Sequence, residues 1–437
     1  MKQKIITATL TILAVLAPAL IVPVIFNDST YILKMWALLI GGALLLILLL
    51  CNIKTFNIDK KDILMLAFIG LIIISTCFSS SLKISILGQR TRHEGALMLI
   101  TYICIYFASK KYFKHENYEE ILNILFFTCM AIGILGIAQK YVKFARLYPI
   151  FSKGICGTFG NSNFFGSFVT LILPISVSIF LLKGNKRSLG LSLVMFFNII
   201  SCGTRSAWVA FIVGSIFFLI FLIKQKNKKY FIRIGILIIC FVIIFMYLFN
   251  SFKFIKEIIN PAKQEVNQAT ITTTEEKVKK TGNEIKEAVQ SRNINRLGSG
   301  RMEIWKMTLK LIWQKPILGC GPDNLNKGLH IYCKEETENF VIRTITEPDK
   351  AHNEYLQIAA TIGIPALIIY LIFLGLIVFP KMKEMFKNGL LFIITVTIIC
   401  YLAQAFFNIS TIGVAPLFWM LLGMADNKEM LDILKIN

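Results

Sequence analysis

The chain has 437 residues, of which 56% are hydrophobic and only 16% charged, with a formal net charge of +22 and a mean hydropathy of +0.67. Soluble domains carry about 25% charged residues, so this composition excludes an ordinary water-soluble protein. It also removes the need to invoke nucleic acid, because the positive-inside bias of membrane proteins accounts for most of the positive charge.

The apolar residues come in blocks close to the roughly 20 needed to cross a bilayer, where lipid offers the backbone no hydrogen-bond partner. Twelve spans are expected in chain order, at about 5–26, 31–51, 63–82, 95–113, 120–139, 164–183, 188–203, 206–224, 230–249, 354–379, 388–407 and 411–424. The first follows Lys2 and Lys4 but is too long for a signal-peptide core and has no small-residue cleavage site, so it reads as a helix. Segments on the side of the N-terminus hold 20 Lys and Arg, against 8 in the short opposite loops. Both termini are therefore expected in the cytoplasm. Lys34 and Arg233, near helix ends, are expected to snorkel to the interface. The result is an all-α polytopic protein of the cytoplasmic membrane. Residues 1–249 hold helices one to nine, 250–353 form one extracytoplasmic segment, and 354–437 hold the last three helices and a cytoplasmic tail.

The outward basic residues fall in three places: Lys83, Arg90 and Arg92; Lys140, Lys143, Arg146 and Lys153; and Arg205. No Asp or Glu occurs between Glu120 and Lys256. A positive, carboxylate-poor outer face favours an anionic ligand over a cation or proton pathway, which uses intramembrane carboxylates. In the external segment, Asn250 to Asn295 is polar with helical charge patterning, as in Glu275-Glu276 before Lys279-Lys280. Arg301 to Gln314 reads as an interfacial helix presenting Met302, Trp305, Leu309 and Ile312, ended by Pro316 and the Gly319–Pro322 turn. Most of the ten cysteines sit in apolar spans as small hydrophobes; only Cys320 and Cys333 are placed where a disulfide is conceivable.

Four short segments carry chemistry. Gly157-Thr158-Phe159-Gly160-Asn161-Ser162-Asn163-Phe164 leads into a helix, and its backbone N–H groups and helix dipole suit an anion, although a plain turn into a helix is the stronger reading of these residues alone. Arg205, in Cys202-Gly203-Thr204-Arg205-Ser206, is the only charge between two long spans; it either reaches the outer headgroups or grips phosphate with its guanidinium fork. Arg301 opens the interfacial helix, facing either a lipid diphosphate or a local acid such as Glu303. His352, in Ala351-His352-Asn353-Glu354-Tyr355, stands where the external segment returns to the membrane. Imidazole there serves either as a structural group or as a base near neutral pH. Asn353 beside it is placed to orient the ring or an acceptor; Asn161, in its Gly-rich setting, suits backbone contacts better.

In order, Gly157-Thr158-Phe159-Gly160-Asn161-x-Asn163-Phe164, Thr204-Arg205, Gly300-Arg301-x-x-x-Trp305, Lys315-Pro316-Ile317-Leu318-Gly319-x-Gly321-Pro322 and Ala351-His352-Asn353-x-Tyr355-Leu356-Gln357 resemble the O-antigen ligase and O-antigen polymerase family of bacterial membrane glycosyltransferases, over about residues 84–380. Arg90 to Gly95 is similar to a further basic loop of that family. The resemblance implies metal-independent, inverting transfer, without a cofactor, from a polyprenyl-diphosphate glycan such as an undecaprenyl diphosphate conjugate to a glycan or lipid-glycan hydroxyl. It implies that Arg205 and Arg301 hold the diphosphate and His352 activates the acceptor, with Arg90, Asn161 and Asn353 assisting binding. Arginines can stabilise a departing diphosphate where other enzymes use Mg²⁺. A transporter or flippase for the same lipid-linked glycan also wants a positive cavity, but gives His352 no task, and the internal repeat of many transporters is not visible.

Overall fold

The computed structural model describes residues 2–20, 29–55, 57–90, 92–113, 118–142, 154–251, 300–344 and 346–427, which contain helices and no strand. The expected polar helices of residues 252–295 lie outside the described residues, as do Lys143, Arg146 and Lys153. The first group of helices comprises α1 (Lys2–Ala19), α2 (Ser29–Leu50), α3 (Lys60–Cys77), the short α4 (Leu82–Leu87), α5 (Ala96–Tyr112), α6 (Tyr118–Tyr141), α7 (Ser162–Lys183), α8 (Lys186–Ser201), α9 (Arg205–Gln225) and α10 (Lys228–Ser251). The second group is α11 (Arg301–Gln314), α12 (Leu325–Tyr332), α13 (Lys334–Thr344) and α14 (Glu354–Thr361). The third is α15 (Ile364–Glu384), α16 (Gly389–Ala405) and α17 (Ala415–Asp426). Among the described residues, α2, α6, α7, α9, α10 and α15 are long and apolar enough to cross a membrane, the architecture of a polytopic membrane protein.

Local chemistry sets the helix ends. Asp59 caps α3 by accepting from Asp62 N–H while Asp62 caps in return, a reciprocal box that satisfies two orphan donors. Arg233 is half-buried and donates at 2.7 and 2.8 Å to the carbonyls of Leu181 and Leu182, closing the last turn of α7. Lys34 is buried, its ammonium bound to the carbonyl of Thr158 at 3.1 Å and lying over the Phe159 ring. Its charge is held by the Gly157–Gly160 turn instead of the headgroups.

The expected span 354–379 is two helices. α14 ends at Thr361, and α15 starts at Ile364 with a proline in its first turn. Between them Gly363 adopts φ 110°, and a Cβ there would fall 2.0 Å from the carbonyl oxygen of Ile317. The break docks the 316–321 turn: Cys320 and Gly321 donate to Ala360 and Thr361 carbonyls at 3.0 and 2.8 Å, and Ile364 donates to Pro316 at 2.7 Å. Ser75 of α3 adds bonds to Leu318 and Thr361 carbonyls at 2.6 and 2.9 Å. A continuous helix would leave the turn without these acceptors.

Two hydrophobic cores result. The larger joins α1 to α3 and α5 to α10 with α15 to α17. The smaller gathers Ile304, Met307 and Leu311 of α11, Leu325 and Leu329 of α12, Phe340 of α13 and Ala359 and Ala360 of α14. α11 therefore buries Ile304, Met307 and Leu311, while Met302, Leu309 and Trp313 of the expected interfacial side are exposed. Ile312, also expected on that side, is buried. Cys320 and Cys333 are buried free thiols in this core, and Cys333 Sγ contacts the Met307 carbonyl at 3.5 Å.

Candidate functional site

The motif residues converge where the second core meets the first helix group. Residues i and i+4 share a helix face, so Arg301 and Trp305 of α11 both point toward the loop after α16. Arg301 Nη1 donates to the Phe407 carbonyl at 2.8 Å, and the Trp305 ring packs on Phe406 and Phe407 at 5.8 and 6.2 Å. Trp305 Nε1 donates to the Ala351 carbonyl at 2.8 Å, fixing the residue before His352. The same residue is held from its other side, where Ala351 N–H donates to Gln357 Oε1 at 2.8 Å. Tyr355 donates to the Leu402 carbonyl at 2.9 Å. Ala351, next to His352, is thus held by Trp305 on one side and Gln357 on the other, while Tyr355 ties α14 to α16.

His352 itself sits at φ 50°, its Nδ1 buried without a hydrogen-bond partner. Burial, and then the charge of Arg301, press its pKa down to about 4, against an opposing pull from Asp349. The ring is therefore neutral at physiological pH. Arg301 is in turn lowered by burial and by the neighbouring Arg205, which opens α9 on the exposed side. Two guanidinium groups close enough for one to lower the other, next to a neutral imidazole, raise the local potential and favour an anion.

Asn353 is 3% exposed and caps α14, its Oδ1 accepting from Leu356 N–H at 3.0 Å. Asn161 caps α7 in the same way, accepting from Asn163 N–H at 2.8 Å. In the turn before it, Cys156 and Gly157 N–H donate to Gln139 Oε1 at 3.0 and 2.8 Å, so those two donors are already engaged. The first turn of α7 nonetheless borders the site: Arg92 lies 4.8 Å from the Phe164 ring, and Asn408 donates to the Asn163 carbonyl and Ser167 Oγ at 3.1 and 2.9 Å.

Behind His352 lies a charged network that the motifs do not reveal. Lys350 is 3% exposed, and its ammonium contacts Asp323 Oδ1 at 2.7 Å and Glu94 Oε2 at 3.2 Å. Burial lowers its pKa, but Asp323 and Glu94 more than offset that and the net shift is upward. Asp323 Oδ2 also accepts from the backbone of Gln89 and Glu94 at 2.7 and 3.3 Å. The 88–95 loop that these bonds pin is folded tightly enough that a Cβ on Gly95 would fall 2.4 Å from Gly88 N. Arg92 closes the ring by bonding Asp349 at 2.6 and 2.7 Å. His93, Asp323 and His352 all adopt positive φ, at 57°, 56° and 50°. Such strain is held only where surrounding structure over-determines it, and it concentrates at functional sites.

Arg90 joins His352 through a cavity of about 1080 Å³, whose wall they share with Arg92, His93, Lys83 and Lys327. The cavity is bounded by α4, the 88–93 loop and α11 to α13, so it lies between the membrane helices and the second core. Glu94 was visible in the sequence as the one acid of the motif-bearing segments before residue 250, and its isolation was the available signal for the network. Asp323 and Lys350 lack any such signal, because their pairing depends on the docked 316–321 turn.

Residues 190–371 match the family model described as O-Antigen ligase, a stretch that holds Arg205, Arg301 and His352. No curated protein matches the chain.

Proposed function

We propose that the chain, whose residues 190–371 match the O-Antigen ligase family model, transfers a glycan from a polyprenyl-diphosphate carrier to an acceptor hydroxyl. In this reading twelve spans place both termini in the cytoplasm and residues 250–353, between the helices of 1–249 and those of 354–437, on the outer face of the cytoplasmic membrane. The reading rests above all on one juxtaposition: neutral His352 beside Arg301, with Arg205 close enough to lower Arg301.

Arg205 and Arg301 hold the donor diphosphate, their planar forks matching its oxygens. The acceptor oxygen attacks the anomeric carbon from the face opposite the diphosphate while the imidazole of His352 takes the hydroxyl proton. With Nδ1 enclosed, Nε2 is the nitrogen that receives it. The bond from the anomeric carbon to the diphosphate oxygen breaks, its electron pair leaves with the diphosphate, and the configuration inverts. The arginines stabilise the charge that develops on the leaving group, the task metal ions perform elsewhere, so the reaction needs no metal. Arg90 reaches the acceptor from the cavity wall, whereas Asn161 and Asn353 act by shaping the helix starts at the site.

The test is transfer by the purified protein from a defined polyprenyl-diphosphate oligosaccharide to a glycan acceptor, with and without EDTA. Product with inverted anomeric configuration, formed equally in chelator, is expected. Translocation of the donor without transfer would replace this reading by a flippase. Loss of transfer in EDTA, restored by Mg²⁺ or Mn²⁺, would remove the metal-free step.

A further inference from the structure

His352 divides the site in two. On one side are Arg301 and Arg205, which do not line the 1080 Å³ cavity; on the other side is the cavity itself, with His352 in its wall. If the donor diphosphate lies at the arginine pair, an acceptor whose hydroxyl reaches the imidazole must extend into the cavity, and the cavity lining then selects the acceptor.

That lining is basic in an unbalanced way. Its two acids are engaged by neighbours: Asp349 by Arg92, and Glu347 by His330 and Asn326, both at 2.9 Å. Lys83 and Lys327, on α4 and α12, are exposed and have no acidic partner among the described residues. They face the cavity from two separate elements, so the excess charge belongs to the space and not to one helix surface. Neutral sugars are usually gripped by stacking their C–H faces on aromatic rings. Here Phe340 is the one Phe, Tyr or Trp among the described lining residues, and it is 5% exposed, so a stacking platform is missing.

We propose that the cavity takes an anionic acceptor glycan, one carrying uronate carboxylates or phosphate groups, with Lys83 and Lys327 as its charge-selecting residues. The inference rests on the transferase reading for the identity of the ligand as a glycan. The charge preference itself is measured without turnover.

The protein is assembled in nanodiscs of zwitterionic lipid, and binding is followed calorimetrically for two soluble probes of equal length, an oligogalacturonide and a neutral malto-oligosaccharide. The acidic probe should bind about tenfold more tightly, the scale that two rim ion pairs supply, and the preference should shrink as salt is raised. Lys83→Gln/Lys327→Gln should lose that preference, and since both side chains are exposed the variant should fold. A phosphorylated oligosaccharide in place of the uronate distinguishes the two anion sources. Equal affinity for acidic and neutral probes, or a preference unchanged in the double variant, would overturn the proposal. So would loss of acidic-probe binding on introducing anionic phospholipid while transfer continues, since the cavity would then be a headgroup site. Acidic-probe binding by a protein that transfers no glycan would instead sink the transferase reading and leave the charge preference standing.

Discussion

Two buried charge clusters sit at opposite ends of α5. At one end Lys110 Nζ lies 2.6 Å from Asp62, 2.8 Å from Asp59 and 3.0 Å from Asp426. Lys61 also pairs with Asp426, and Tyr106 donates to it at 2.7 Å. At the other end, 16 residues away in sequence and about 24 Å along a helix axis, Glu94 joins Asp323 and Lys350. The first cluster uses helical or helix-capping residues, and an ammonium sits among carboxylates close enough together to hold a metal ion. The second uses loop residues, two neighbours of which are strained histidines, and lies beside arginines whose charges repel. Each cluster holds one carboxylate more than it holds ammonium groups, so net charge does not tell them apart. Strained backbone beside repelling arginines does tell them apart: such strain concentrates at functional sites, and it favours the Glu94 end as the reactive one.

The contrast breaks most visibly at His352. His352→Ala should lose about 10²–10⁴-fold in turnover with donor affinity little changed, because the proposed reading gives the diphosphate to the arginines. Lys110→Ala, at the other cluster, should leave turnover per folded molecule intact. Transfer rate and lipid-donor affinity on the purified variants decide it. Lost donor affinity in His352→Ala would move the histidine among the diphosphate ligands, and an unchanged rate would return it to a structural role.

Lys350→Met strands two buried carboxylates and should cost about 3–5 kcal/mol of stability, read as a lower thermal midpoint in detergent. Lys110, 16% exposed against 3% for Lys350, should lose less on the same substitution. Only Lys350→Met should also depress turnover in the fraction that stays folded, because His352 stands two residues away. Equal turnover in the two variants would make the Glu94 network as purely structural as the Lys110 one.

What the sequence displayed follows the same division. Helices were legible because each buries or exposes apolar surface in a periodic block, and Arg205, Arg301 and His352 because their neighbours form short patterns. The Glu94–Asp323–Lys350 network draws on three segments more than 200 residues apart at the extremes, a pairing no local pattern encodes. The break at Gly363 was hidden for a related reason: Ile362 and Ile364 keep the run apolar, and only the docked carbonyl of Ile317 shows why a glycine is required. Lys34 misled in the opposite sense. Its place near a helix end suggested an interfacial cation, whereas its acceptor, Thr158, lies 124 residues away.

Arg205→Lys and Arg301→Lys sharpen the comparison by keeping charge while removing the fork. Each should lose about 10–10²-fold in kcat/KM, the size of one charge-assisted hydrogen bond of about 1.5–3 kcal/mol, with the protein still inserting normally. Near-wild-type transfer in both would make them headgroup anchors.

The smallest effect is a displacement along the pH axis. Free His352 is lowered to about 4 by burial and then by Arg301, so it is unprotonated at neutral pH, and kcat/KM, which reports the free enzyme, should fall only as pH drops through that region. A bound diphosphate places negative charge at Arg301 and cancels part of the repulsion that disfavours the imidazolium. The pKa of His352 must then rise in the donor complex, so the acid limb of kcat should lie at higher pH than that of kcat/KM. The same rise strengthens the base only once there is a donor for it to serve. Arg301→Gln removes the repulsion without donor, so its kcat/KM limb should move upward toward the wild-type kcat limb, while Asp349→Asn, which removes the carboxylate that favours the charged ring, should move it down. Profiles of kcat and kcat/KM from pH 3.5 to 8 on the three proteins make the measurement. Coincident limbs in the wild type, unmoved by Arg301→Gln, would show that the ring does not sense the diphosphate site and would break the link between the arginine pair and the base.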